Sequence, residues 1–487
     1  MRKFLSLGIL AMLLLGWACT EDEEESVILV TEEVLYTSGE QVRLLGRLIA
    51  NQPVKASDHG FYLSQDESFS MPIVISLGTK EGAGRFVGLI DELTIGSSYF
   101  VKAFMDIGKG LEFGNVIELS TLNPGLESFL PAFGSATETV TILGRNFTKD
   151  TRVFFNEVEA EVLNIEFESR LSVKIPPATS ADPVFIKVLV QDKLLSFDSP
   201  FEYQTGAYQL ISTFPEQVKL YDNVSFQNSA GFYIGLGNIS KNEFYTGFQR
   251  YNPATSSWEK IDWPGTSRNY AFATSNYIGA GVAKLGRGPY TMNYGFWKVS
   301  ASGFQQLADL TFDSRESLAF ELNQNLYVVG SKEGDSLAVR KYAAATKQWT
   351  TLSPSPVAFG AANPHFEYQG KAYVVDDSAA LWRYDPATDS WSSTGLTYPG
   401  SLGQGYGIAH VIGSKAYVGL YRRATDLWEL DMNTMSWKSK NAIPGIPQSF
   451  TVGSFVQGES LYMMRVPDIS LAGPYPMELY QFDPNGI

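Results

Sequence analysis

The chain has 487 residues, 13% of them aromatic and only 18% charged, with a net charge of −15 at neutral pH. That balance excludes a coiled coil and a disordered chain, which need more charge and fewer aromatics, and a nucleic-acid binder, which needs a positive surface. The 44 Gly and 23 Pro, set among 31 Phe and 25 Tyr, predict short strands punctuated by turns in an all-β protein of two to four domains.

Arg2 and Lys3 precede an apolar run from Phe4 to Leu15, too short to span a bilayer as a helix and therefore read as an export signal. Gly16 and Ala18 then lead to Cys19, the only cysteine. This arrangement resembles the lipobox of bacterial lipoproteins, although Trp17 stands where that pattern prefers a small or aliphatic residue. The resemblance implies a signal peptide over residues 1–18 and an acylated Cys19 as the mature N-terminus. A lone cysteine leaves no disulfide partner. Residues 19–26 form a tether with five successive acidic residues, Glu21 to Glu25. The run resembles the acidic export signal of Gram-negative lipoproteins that face outward; a solvated spacer is the plainer reading. The expected location is the outer membrane, lipid-anchored and facing the exterior. Losing Arg2 and Lys3 takes the net charge from −15 to −17, so the expected partners are a membrane, through the lipid, and a glycan or surface protein, with no nucleic acid.

Residues 27–122 contain short alternating runs, such as Ser98 to Phe104, in which Tyr99, Val101 and Ala103 oppose Phe100, Lys102 and Phe104 with a period of two. The segment resembles a fibronectin type III-like sandwich. Residues 123–205 carry the strand-like runs Thr139 to Phe147, Thr151 to Asn156 and Leu171 to Pro177. Their Gly144-Arg-Asn-Phe147 turn resembles that of an IPT/TIG domain, which implies a second immunoglobulin-like sandwich. Gly144 and Asn146 are expected to accommodate positive φ there.

Residues 206–487 repeat themselves. Tyr251-Asn-Pro-Ala-Thr-Ser-Ser-Trp258 is echoed by Tyr342 to Trp349, Tyr384 to Trp391 and Leu430 to Trp437, with a weaker unit ending at Phe304. The markers Trp258, Phe304, Trp349, Trp391 and Trp437 are 46, 45, 42 and 46 residues apart, a period of about 40–50 residues. Upstream markers such as Asn325-Leu-Tyr-Val-Val-Gly330 and Lys415-Ala-Tyr-Val-Gly419 recur with them. The pattern resembles the kelch repeat, and the resemblance implies a β-propeller with four strands per blade. The chain stops after a third strand, Leu479 to Phe482, while Tyr208 to Pro215 reads as a spare fourth. Their union predicts six blades closed at the seam. The expected fold is therefore all-β, two N-terminal Ig-like β-sandwiches followed by a six-bladed kelch-like β-propeller.

The chemistry sought along the chain is sparse. The three histidines, His59, His365 and His410, are scattered, no cluster has metal-ligand spacing, and no nucleophile elbow or phosphate loop is apparent. No cofactor, metal or catalytic residue is expected. The missing second cysteine also removes the copper-radical chemistry of galactose oxidase-like kelch enzymes. In a kelch propeller the loops entering each blade line a central funnel. Here they offer Arg268, Tyr270, Arg315, His365, Tyr406 and Gln448 as candidate ligand-binding residues, with Tyr221 and Glu316 nearby. Aromatic faces with Arg, His and Gln suit carbohydrate. The expected function is glycan or protein binding, accessory to polysaccharide uptake. The alternatives are a kelch-type carbohydrate epimerase, mutarotase or lyase-like enzyme using Arg268, Arg315 and His365, and an adhesion protein. The four repeat Trp residues are expected to pack between units, leaving Trp263, Trp382 and Trp428 as the more exposed ones.

Overall fold

A computed structural model describes residues 26–240, 243–283, 291–468 and 476–487. The signal segment, Cys19 and the acidic run lie outside the described residues. The chain divides into two compact units. One holds the residues up to Glu202 except Ala178–Asp182; the other holds that short segment and Tyr203–Ile487. Every regular element among the described residues is a β-strand, and no helix there is long and apolar enough to cross a membrane.

The first unit contains two pairs of antiparallel sheets. In the earlier pair, Val27–Thr37, Val42–Ala50 and Gly84–Ile90 form one sheet. The other is Ile117–Ser120, Ser98–Asp106, Asp58–Ser64 and Ile73–Ser76, with Leu111–Phe113 also paired to Ser98–Asp106. Side-chain alternation places Leu44, Leu48, Phe61, Tyr99 and Val101 in one core, because neighbours along a strand point to opposite faces. In the later pair, Thr139–Arg145 lies between Gly125–Leu130 and Arg170–Lys174, and Arg152–Phe155 pairs with Ile186–Val190. The turn after Thr139–Arg145 uses its residues differently from one another. Asn146 does take positive φ, at 56°, but Gly144 is required for space. A Cβ there would sit 2.4 Å from the buried Phe147 ring and 2.4 Å from the Gly125 carbonyl.

The second unit contains six four-stranded antiparallel sheets. Their first strands are Val224–Asn228, Phe272–Ala273, Leu318–Leu322, His365–Tyr368, Ile408–Ile412 and Ser449–Gln457. Each lies beside the first strands of the sheets before and after it, and that of the sixth lies beside that of the first. The fourth strand of the sixth sheet is Ala207–Thr213, which pairs with Glu478–Asp483, as the two ends of the repeat region led us to expect.

The repeat motif has a local physical cause. In three of the sheets the last two strands are joined by a tight turn opened by Asn or Asp. The side-chain oxygen of Asn252 accepts the Ala254 amide at 3.0 Å, that of Asp385 the Ala387 amide at 3.0 Å, and that of Asp431 the Asn433 amide at 2.8 Å. Such side-chain turns replace the backbone bond that a hairpin end lacks. The residue two before each Trp (Ser256, Lys347, Asp389 and Met435) has φ between 45° and 55°. That geometry sets Trp258, Trp349, Trp391 and Trp437 directly across from Tyr251, Tyr342, Tyr384 and Leu430. Ring centroids in the three Tyr–Trp pairs are 4.9, 5.2 and 5.0 Å apart, a contact that helps hold the strand pair. Trp263, Trp382 and Trp428, expected to be more exposed, are also half-buried. Their indole N–H groups donate to Thr266 O, Asp376 and Asp426.

Candidate functional site

The second unit has a repeating structural position that the Trp markers do not reveal. Two residues before the first strand of five successive sheets stand Asp222, Tyr270, Glu316, Asn363 and Tyr406. Four of them are non-glycine residues at positive φ: Asp222 at 50°, Tyr270 at 57°, Glu316 at 52° and Tyr406 at 53°. L-residues seldom adopt this region, and it recurs at ligand sites. The backbone explains its use here. The Tyr270 amide donates to Asp222 O and the Glu316 amide to Tyr270 O, both at 3.1 Å. The Ala361 amide donates to Glu316 O at 2.8 Å, and the Tyr406 amide to Ala362 O at 2.9 Å. Successive sheets are thereby stitched together at their entry segments.

All five side chains border one cavity of about 380 Å³, within the usual range of small-ligand pockets, roughly 300–1,000 Å³. Tyr221, Phe450 and Arg422 complete its rim, and the first strands supply Ser225, His365, Glu367, His410 and Ser454 further in. Tyr406 donates its hydroxyl to Glu316 at 2.8 Å. Arg315 and Lys332 answer the same carboxylate at 3.2 and 2.5 Å. Arg422 reaches both oxygens of Asp468 at 2.9 Å and lies 5.2 Å from the Phe450 ring centre.

Glu367 is exposed to the cavity and His365 and His410 are half-buried, yet the surrounding protein shields all three from bulk water, and this sets their protonation. Burial drives His365 and His410 down to about 4, so both are neutral at physiological pH. Proximity of the two imidazoles adds to the effect at His410, whose Nε2 shares a 2.8 Å hydrogen bond with Ser454 Oγ. Burial raises the Glu367 carboxyl to about 7, with the charge of Glu321 reinforcing it. Asp222 is raised chiefly by burial, partly offset by a hydrogen bond from Tyr270.

Of the residues singled out from sequence, Tyr270, His365 and Tyr406 border the cavity. Arg268 does not. It is 1% exposed, and its guanidinium donates to Thr266 O at 3.3 Å, Ala280 O at 3.2 Å and Gly295 O at 2.8 Å. Arg315 stands behind the rim, 5.0 Å from the Tyr270 ring centre, bonded to Glu316 and Glu333. Gln448 is exposed and lies off the cavity wall. Sequence reasoning missed Asp222, Glu367, His410, Arg422, Phe450 and Ser454. Counting back two residues from each first strand finds Asp222; nothing local marks Arg422, which comes from a loop inside the fifth sheet. Among the described residues no group of three or more His, Cys, Asp or Glu is placed to hold a metal ion.

The earlier unit can be compared at the family level. Residues 124–203 match the IPT/TIG domain family. The IPT/TIG domain is thus the later pair of sheets in that unit. Among solved structures, a protein of unknown function from Bacteroides thetaiotaomicron is 14% identical, with 74% of this chain and 98% of that one covered and a TM-score of 0.36. The structure of YjhT is also 14% identical, covering 55% of this chain and 96% of that one at a TM-score of 0.42. No curated protein matches the chain.

Proposed function

We propose that residues 206–487 form a six-bladed kelch-like β-propeller whose central cavity binds a carbohydrate, on a lipid-anchored outer-membrane protein accessory to polysaccharide uptake. The observation that carries this reading is the cavity itself. Tyr221, Tyr270, Tyr406 and Phe450 contribute aromatic rings, and Asp222, Asn363, Glu367 and Ser454 contribute hydrogen-bonding groups, to the wall of a space of about 380 Å³. Ring faces cover the C–H surfaces of a sugar while polar groups meet its hydroxyls. The propeller reading is supported by six four-stranded sheets, the cyclic order of their first strands and the strand exchange at the seam. The anchor reading rests on the lone Cys19 behind an apolar segment.

An enzyme of the epimerase or lyase-like kind would call for Arg268, Arg315 and a carboxylate to converge on one point. Arg268 instead binds backbone carbonyls and Arg315 is divided between Glu316 and Glu333, which favours binding over catalysis. A glycan array probed with the mature chain tests the carbohydrate reading. Binding to a defined glycan, lost in Tyr270→Ala, is the expected result; a blank array, with retention of a protein partner in its place, would overturn it and favour adhesion. Cys19→Ser is expected to abolish lipid labelling and membrane retention, and retention by the variant would refute the anchor.

A further inference from the structure

We propose that the cavity takes a ligand carrying a protonated amino group, and on the carbohydrate reading above, on which this inference rests, a sugar with a free amine. The argument is one of charge matching. The cavity wall contains three carboxylates, Asp222, Glu316 and Glu367, and one formal cation, Arg422. Arg422 is already held by both oxygens of Asp468. Glu316 is matched by Arg315 and Lys332. Asp222 is not matched in this way. Its oxygens receive the Tyr270 hydroxyl and, at 3.3 Å, the Asn238 amide; Arg422 and Arg315 act on it only through space, each already paired with another carboxylate, and the charge of Glu316 opposes them. Glu367 receives only backbone amides. Among the described residues no Lys or Arg forms an ion pair with either carboxylate.

An enclosed carboxylate without a counter-charge costs free energy that a neutral ligand cannot recover. A bound ammonium can recover it, since it brings a positive charge and three donors to acceptor-only groups. The neighbouring histidines are neutral, so they add no positive field to oppose it. The rim rings already accept cations within the protein: the Arg315 guanidinium lies 5.0 Å from the Tyr270 ring centre and that of Arg422 lies 5.2 Å from Phe450. An acidic sugar would meet the same two carboxylates and be repelled. An N-acetylated sugar would leave them unmatched.

The test uses the mature chain with glucosamine oligomers and fully N-acetylated oligomers of the same length, titrated calorimetrically at pH 7, where Glu367, raised to about 7, can ionise and much of the sugar amine is still protonated. The free-amine oligomer is expected to bind at least about tenfold more tightly, the gain of a single well-placed ion pair. Asp222→Asn is expected to remove most of that preference, so that the ratio of the two affinities falls towards one. Glu367→Gln, checked like the first variant for native circular dichroism, is expected to do the same, so that a folding defect in either one leaves the other to decide. Equal or tighter binding of the acetylated oligomer overturns the amine inference and leaves the glycan reading intact. Absence of binding by both, with a neutral glycan found on the array, overturns the amine inference alone. Absence of both with a blank array overturns the two together.

Discussion

At the scale of single residues, the cavity collects groups whose pKa values are shifted by burial, and each shift has a sign. His365 and His410 are lowered to about 4 by burial. Between that value and the ordinary histidine pKa of about 6.5 the unfolded chain binds more protons than the native one. Their contribution is therefore fully present above about 6.5 and is lost as the pH falls towards 4. Glu367 runs the other way. Its carboxyl is raised to about 7, so from about 4.5 upward the unfolded chain releases a proton that the native chain keeps. Its penalty is absent at low pH and complete above about 7. Glu367→Gln removes the charge and keeps the shape. The variant is expected to melt at a higher temperature than the parent at pH 8, with the gain shrinking to nothing by pH 4. Melting curves across that range decide the matter; a gain that grows on acidification would show that Glu367 is not held protonated. None of this was legible from residue identity. Glu367 and His410 read as ordinary polar residues, and the candidate His365 as a loop residue, until the first strands of the fourth and fifth sheets bring them into one enclosure.

At the scale of elements, the hairpins were legible because their chemistry is local. Asn or Asp, then Thr, then Trp within eight residues specifies a side-chain turn, a positive-φ residue and a cross-strand ring, all without help from distant chain. Asp431 shows the logic most completely, accepting the amides of Asn433 at 2.8 Å and Thr434 at 3.2 Å. Asp431→Ala leaves both donors to solvent. It is expected to destabilise the protein by about 1 kcal/mol, or about 2 °C in Tm, with Asp431→Asn restoring most of the loss in the same melting experiment. Arg268 shows the opposite case. Its sequence position placed it in an entry loop, as it did Tyr270, yet its side chain turns away to cap the carbonyls of Ala280 and Gly295. No local pattern distinguishes an arginine that binds a ligand from one that closes off backbone, since the decision depends on carbonyls 12 and 27 residues away. The ion pair of Arg422 with Asp468, 46 residues apart, was hidden for the same reason.

At the scale of the whole second unit, its two ends hold each other. Ala207–Thr213 pairs with Glu478–Asp483 from Ala207 opposite Asp483 to Thr213 opposite Glu478, and Tyr208 packs on Phe482 with ring centres 4.6 Å apart. Gly206 donates to Gly486 O at 2.7 Å. The buried Lys440 of the fifth sheet's edge reaches Thr205 and the Pro484 carbonyl, both at 2.9 Å, and Glu429 at 2.8 Å. Deleting Glu478–Ile487 therefore does more than trim a terminus. It removes the partner of Ala207–Thr213, uncovers Leu461 and Met463, and takes away the carbonyl that helps satisfy a buried ammonium. An open sheet edge over an exposed core is a route to aggregation rather than to a smaller stable fold. The expected result in calorimetry is loss of the second unit's cooperative transition, while the transition of the first unit, which includes the IPT/TIG domain, keeps its midpoint. If the shortened chain retained both transitions at their original temperatures, the strand exchange would contribute nothing to stability. The central cavity would then be held by the entry-segment hydrogen bonds alone.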